Sequence, residues 1–138
     1  MDESHKDFFT SHNIKSTKQR HLVLDLLKQL TTPCSAEDLY LQAVKLQPSV
    51  NLSTVYRILE LFESKDIVIK NMLSESKKAV YELNSHTHKH YMVCMKCKRI
   101  LPLENCPCTL IEKAVAENSD FEIVNHKLEI MGYCPECR

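Results

Sequence analysis

The chain has 138 residues, enough for one domain or two small ones. Hydrophobic residues make up 43% and charged residues 26%, as in ordinary globular proteins; no apolar run approaches the roughly 18 residues of a membrane span, and the polar start Met1-Asp2-Glu3-Ser4-His5 lacks the apolar core of a secretory signal, so the expectation is a cytoplasmic, membrane-free protein. Net charge is zero, with eleven basic and eleven acidic residues before residue 85 and seven of each after it, so any nucleic-acid binding needs a local patch, best presented twice by a dimer.

The first half reads as helical. Residues 2–12 suit a short helix. Thr17-Lys18-Gln19-Arg20 opens a second, with Leu22, Val23, Leu26, Leu27 and Leu30 at amphipathic spacing and Thr31-Thr32-Pro33 as its stop. Ser35-Ala36-Glu37-Asp38 is a cap signal for a third helix carrying Leu39, Tyr40, Ala43, Val44 and Leu46, which Pro48 ends. Ser53-Thr54 is expected to cap a fourth, whose apolar face is Val55, Ile58, Leu59 and Phe62. Ile67-Val68-Ile69 and Ala79-Val80-Tyr81-Glu82-Leu83 then read as a hairpin with a charged tip at 74–78. Helices followed by a hairpin is the order of a winged helix-turn-helix; a small α+β domain without a DNA role fits the pattern equally well.

The second half reads as strands around one helix: 90–93, 100–103, a helix over 109–118, then strands at 121–124 and 126–130. A unit of about 50 residues is marginal alone and needs a metal, a dimer partner or both. Its composition agrees, because six of the seven cysteines and four of the seven histidines follow residue 84. An odd cysteine count without an export signal argues for metal or redox chemistry over a disulfide framework. A single glycine, Gly132, excludes the glycine-rich phosphate loops.

Cys94-Met95-Lys96-Cys97 and Cys134-Pro135-Glu136-Cys137 are two Cys-x-x-Cys turns. Four thiolates around one zinc close a tetrahedral site with no open position, so this zinc is expected to be structural. His86, His88 and His90 alternate as they would on one strand face, and converging neutral imidazoles suit a transition metal. A zinc hydrolase or deaminase would use such histidines, but no His-x-Glu accompanies them, and no enzyme is expected. A zinc-ribbon interaction module is a further alternative.

Together, Ile14-Lys15-Ser16-Thr17-Lys18-Gln19-Arg20, Ser35 through Tyr40, Ser53-Thr54-Val55-Tyr56-Arg57, Ala79 through Leu83, the His-rich run, His126 and the two cysteine pairs resemble the ferric uptake regulator superfamily, in that family's order and over essentially the whole chain. The resemblance implies an α+β protein: a winged-helix DNA-binding domain over 1–84, and over 85–138 a small α/β dimerisation domain with a four-cysteine zinc site. It implies a homodimeric repressor of palindromic DNA operators. By position, Lys15, Ser53, Thr54, Tyr56 and Arg57 are the expected DNA contacts; Tyr can lie on thymine methyls and Arg can fork onto a base or phosphate. Lys15, Lys18, Arg20 and Lys28 form a local basic strip.

The resemblance also implies a regulatory centre at His88, His90 and His126. The family's glutamate position falls on Thr109, so Cys108 or Glu112 is expected to complete the set. At a second family site, bridging the domains, the positions are Pro33, Glu82, Lys89, Tyr91 and Pro102, of which only Glu82 can bind metal; Cys34 stands beside it as a weak hinge candidate. The expected regulatory ion is therefore zinc-like rather than iron. Cys34, Cys106 and Cys108 leave open a thiol-based redox regulator, and Cys106-Pro107 a haem-responsive one.

Overall fold

The computed structural model describes residues 3–74, 77–85 and 88–138. The chain divides into two compact units, Met1–Ser85 and His86–Arg138. Glu75 and Ser76 at the expected hairpin tip, and His86, lie outside the described residues.

The first unit contains α1 (Glu3–Ser11), α2 (Lys18–Gln29), α3 (Ala36–Leu46), α4 (Leu52–Ser64), β1 (Val68–Met72) and β2 (Ala79–Leu83). Helix starts are set by side chains that accept otherwise unpaired N–H groups. Thr17 accepts from the Arg20 amide and Ser35 from the Asp38 amide. At α4 the cap is Asn51, not Ser53-Thr54: its Oδ1 accepts from the Thr54 amide at 2.9 Å and from the Ser53 and Thr54 hydroxyls. Asn51 does so because its extended backbone (φ −119°, ψ 164°) aims the side chain back along the first turn, which leaves Ser53 exposed on the helix's outer face.

The core follows from the apolar stripes. Val55, Ile58, Leu59 and Phe62 of α4, Val23, Leu24, Leu26 and Leu27 of α2, Leu39 and Ala43 of α3, and Phe9 of α1 are all buried in one cluster. Each fully buried large side chain contributes roughly 1.5–3 kcal/mol, so this unit holds itself together by ordinary hydrophobic packing. β1 and β2 pair antiparallel, Val68 opposite Leu83 and Met72 opposite Ala79. Cys34 adds one antiparallel bridge to Tyr81, exchanging N–H···O bonds of 3.1 and 2.8 Å. Three helices leading into a hairpin make a winged helix-turn-helix.

The second unit contains β3 (His90–Cys94), β4 (Ile100–Leu103), α5 (Cys108–Asn118) and β5 (Glu129–Gly132). The sheet order is β4-β3-β5, with β4 antiparallel and β5 parallel to β3. The strand expected at 121–124 does not form, and the last strand begins at Glu129 rather than 126. Phe121 and Val124 are 74% and 92% exposed, so the alternation there has no sheet face to bury against. α5 buries no residue, and the buried side chains of the sheet and its flanks are His90, Val93, Cys94 and Cys134.

A polar chain holds α1 onto α2. Lys28 Nζ lies 2.8 Å from His5 Nε2, His5 Nδ1 lies 3.4 Å from His21 Nδ1, and His21 Nε2 lies 2.6 Å from Ser16 Oγ. His5 Nε2 also lies 3.2 Å from Asp25 Oδ1, so the donor and acceptor roles along the chain follow the His5 tautomer: Nε2 accepts from Lys28 or donates to Asp25. Burial, then the neighbouring His5, lowers the His21 pKa. The unfolded chain therefore takes up this proton more readily than the native one. Native stability from His21 is fully present above the ordinary imidazole value of about 6.5 and is lost as pH falls towards the lower folded value. Melting of the intact protein from about pH 8 to about pH 5 should show this loss, and His21→Gln should flatten the profile; identical profiles for the two proteins would remove His21 as the cause.

Candidate metal centres and nucleic-acid face

Two groups of donor atoms gather in the second unit, each with all its ligand atoms within 4.8 Å of one another. The first is Cys94, Cys97, Cys134 and Cys137. Cys94 ends β3, the Lys98 N–H closes the turn on the Cys94 carbonyl at 2.9 Å, and Lys98 at φ 65° redirects the chain towards β4. The second turn closes through Cys137 and Arg138 amides on the Cys134 carbonyl. Cys97 and Cys134 Sγ lie 3.8 Å apart. Zinc–sulfur bonds of about 2.3 Å at tetrahedral angles separate two sulfurs by about 3.8 Å. The donor chemistry therefore fits a tetrahedral thiolate metal.

The protons agree. The Cys134 and Cys97 main-chain N–H groups point at the Cys94 sulfur and pull its pKa down to about 5. Cys137, hydrogen-bonded to Cys134, is pushed up to about 12. One sulfur is thus ready as a thiolate and another keeps its proton until a cation offsets the gathered negative charge. Arg99 Nη2 joins the two turns across the surface, 2.8 Å from Glu136 Oε2. Both side chains are largely exposed, so this pair contributes little.

The second group is His88, His90, His126, Cys106 and Cys108. The three Nε2 atoms form a triangle of 2.7, 2.9 and 3.0 Å sides. Each Nε2 is either donor or acceptor, never both. Three mutual contacts therefore cannot all be hydrogen bonds, whereas three lone pairs converging on one cation satisfy every ring. Zinc–nitrogen bonds near 2.05 Å would set these atoms about 3.3 Å apart, a small expansion of the triangle. Burial, then the facing His88 and His126, lowers the His90 pKa, which keeps the ring neutral as a ligand must be. The ring is also hydrogen-bonded to the Leu128 main chain, the kind of outer contact that fixes a ligating imidazole's orientation.

Cys108 Sγ lies 3.5 Å and Cys106 Sγ 3.7 Å from His126 Nε2. The two sulfurs are joined as a disulfide. Glu112 is exposed on α5 and stands outside the group. Of the two expected completing residues, the structure brings in Cys108 and adds Cys106. The signal for Cys106 was the Cys-Pro-Cys spacing just ahead of α5. Cys34 and Glu82 belong to neither group. Burial, then Asp38, pushes the Cys34 thiol up to about 11, so it stays protonated.

In the first unit, Arg57 and Ser53 share the exposed outer face of α4, with Arg57 Nη2 3.5 Å from Ser53 Oγ. Tyr56 is half-buried against the core, and its hydroxyl donates to Glu37 Oε1 of α3. That bond raises the Tyr56 pKa to about 12 and lowers that of Glu37. Tyr56 thus ties α4 to α3 while Arg57 points outward. Lys15 is exposed, and its carbonyl accepts from Arg20 Nη1 at 2.7 Å, holding the two basic residues together. Lys28, also exposed, contacts His5 Nε2 at 2.8 Å.

The ferric uptake regulator family model matches residues 11–131. A ferric uptake regulation protein from Legionella pneumophila is 33% identical over the full length of both chains. Among solved structures, the ferric uptake regulator of Vibrio cholerae superposes with a TM-score of 0.80 at 27% identity, covering 94% of this chain and 99% of that one. That of Francisella tularensis, described with iron, gives 0.75 at 28%, covering 90% and 94%. On the fold, the two cysteine turns and these matches, the chain belongs to the ferric uptake regulator family of metal-responsive transcription regulators.

Proposed function

We propose that this chain is a homodimeric, metal-dependent repressor that binds palindromic operators in double-stranded DNA, in the cytoplasm. The observation that carries the reading is the second donor group, His88, His90 and His126 with Cys106 and Cys108, built apart from the four-cysteine group in the same small unit. One closed site is enough to hold a fold; a second, more open one is a place for a signal.

Cys94, Cys97, Cys134 and Cys137 would hold a structural zinc, which supplies a four-point cross-link when bound. His88, His90 and His126 would hold the exchangeable ion, with Cys108 or both thiols completing the shell. Imidazole and thiolate together favour a borderline cation of the zinc class over harder, oxygen-preferring ions. Ordering of these side chains around one cation shifts the population towards conformers whose α4 helices meet successive major grooves, about 34 Å apart. The exposed Phe121, Val124, Ile130, Met131 and Tyr133 supply apolar surface for a second copy of the chain.

Three tests bear on this. Arg57→Ala should weaken operator binding by roughly 1–3 kcal/mol per half-site, or about ten- to a hundredfold, with the melting curve unchanged. Normal affinity in that variant would remove α4 as the reading helix. Cys94→Ser should lose about one zinc per chain and unfold the small unit; unchanged metal content and dimerisation would refute the four-cysteine assignment. A His88→Ala/His90→Ala variant, titrated with zinc, manganese and ferrous iron while DNA binding is followed, should lose metal-dependent affinity yet keep the cysteine-bound metal. Unaltered metal dependence would move the sensor to Cys34 and Glu82. Specific ferrous activation of the unmodified protein would contradict the zinc-class expectation.

A further inference from the structure

The Cys106–Cys108 pair belongs to two chemistries at once. Its sulfurs are bonded to each other, and the same sulfurs lie within reach of the three converging imidazoles. The other cysteines behave differently. Cys94, Cys97, Cys134 and Cys137 are free thiols although they are equally crowded, and Cys34 is a solitary protonated thiol. We propose that the His88/His90/His126 centre is a redox-gated metal site: with Cys106 and Cys108 reduced it holds a zinc-class cation through imidazole and thiolate, and hydroperoxide closes the disulfide and releases the cation. This rests on the reading of that centre as the exchangeable metal site and adds the condition under which it empties.

The geometry allows both states without moving the main chain. The two Cα atoms are 5.4 Å apart, inside the range a disulfide spans. Two thiolates sharing one zinc need sulfurs only about 3.8 Å apart, which rotation about the Cα–Cβ bonds can provide. Pro107 between them restricts the backbone to a narrow φ range, so the pair is held near this separation. Cys106, Cys108 and His126 are each partly exposed and His88 is exposed, so a small oxidant can enter and a cation can leave. In the other centre Cys94 and Cys134 are buried, Cys137 is partly exposed and Cys97 is exposed.

The chemistry balances with hydroperoxide as oxidant. One thiolate attacks a peroxide oxygen: an S–O bond forms, the O–O bond breaks, and an alkoxide or hydroxide leaves. The second thiolate attacks that sulfur, forming S–S and expelling hydroxide from the sulfenic acid. The sulfur pair loses two electrons, the peroxide gains them, and two protons from solvent neutralise the departing oxygens. The metal's oxidation state does not change. It loses two anionic donors and keeps at most three neutral ones. A small-molecule dithiol reverses the step by exchange.

The experiment uses the full-length protein, reduced anaerobically with a dithiol, loaded with zinc and freed of excess, then treated with hydrogen peroxide. Zinc release is followed with a chromogenic chelator, and thiols are mapped by peptide mass. The expected result is loss of one zinc of two per chain, with the peptide holding Cys106 and Cys108 lighter by two hydrogens, Cys94 and Cys137 still alkylatable, and zinc regained after dithiol. Single Cys106→Ser and Cys108→Ser variants, which cannot form this disulfide, should keep any second zinc through the same treatment. Disulfide closure without zinc release, or zinc release with both thiols intact, would overturn the gate while leaving the metal site in place. Failure of the reduced protein to take a second zinc would overturn both the gate and the site.

Discussion

The second unit buries few apolar side chains and gathers two clusters of donor side chains instead. All three of its strands carry a donor of each group at opposite ends. β3 begins at His90 and ends at Cys94; β4 is preceded by Cys97 and followed by Cys106; β5 is preceded by His126 and followed by Cys134. Because β5 runs parallel to β3 and β4 antiparallel, this connectivity collects the four-cysteine group at one edge of the sheet and the histidine group at the other. Between them, Val93 is the buried apolar side chain of the strands and α5 buries nothing. So few apolar side chains cannot offset the ordering of a unit this small. Cross-linking the three strands through a cation, or burying the exposed apolar residues against a second copy of the chain, would offset it.

The first unit is built on the opposite principle. Phe9, Phe62, Leu24, Leu27, Leu39 and Leu59 are fully buried, drawn from all four helices. That packing leaves the outer face of α4 free of structural duty, so Arg57 can point to solvent on a rigid platform. Tyr56 sits at the boundary, its ring against the core and its hydroxyl on Glu37. A bond between α3 and α4 at this place sets the orientation of the helix whose next residue is expected to meet DNA. The neutral overall charge fits the same economy, because a locally exposed pair such as Lys15 and Arg57 needs no polybasic tail if a dimer presents it twice.

Most helices could be read from the sequence because their periodicity and caps are local. Ser35 and Thr17 act as their chemistry suggests. Asn51 was missed in favour of Ser53-Thr54, since all three residue types cap well and only the backbone angles decide which one turns outward. The strand expected at Phe121–Val124 failed for a different reason. Alternation marks a face, but a face becomes a strand only where another strand is free to pair, and that depends on tertiary context. In the donor clusters, His88, His90, His126 and Cys108 were expected from spacing and family order, and Cys106 was singled out with Cys108 as a sensing pair, whereas Glu112 was expected and stands outside the group. The turn between β4 and α5, with Asn105 at a positive φ of 59°, leads into Cys-Pro-Cys, both of whose sulfurs lie with the three imidazoles.

The two groups differ in burial as much as in ligand type, and that difference argues for a division of labour. In the four-cysteine group, Cys94 and Cys134 are buried, main-chain N–H groups steady the Cys94 sulfur, and a surface ion pair spans the two turns. Cys97 is exposed and Cys137 partly so, so a cation held there would be covered from the Cys94 and Cys134 side. In the other group His90 is buried while His88 is exposed and the sulfurs are partly so, and the three rings crowd one another when no positive charge lies between them. Enclosure slows exchange; an open edge and unsatisfied lone pairs invite it. Both groups hang on the same three strands, so a cation held by the histidine group would act on strands whose other ends carry the cysteine group. The strand ends near His88, Cys106 and His126 can therefore respond to their surroundings without the unit unfolding.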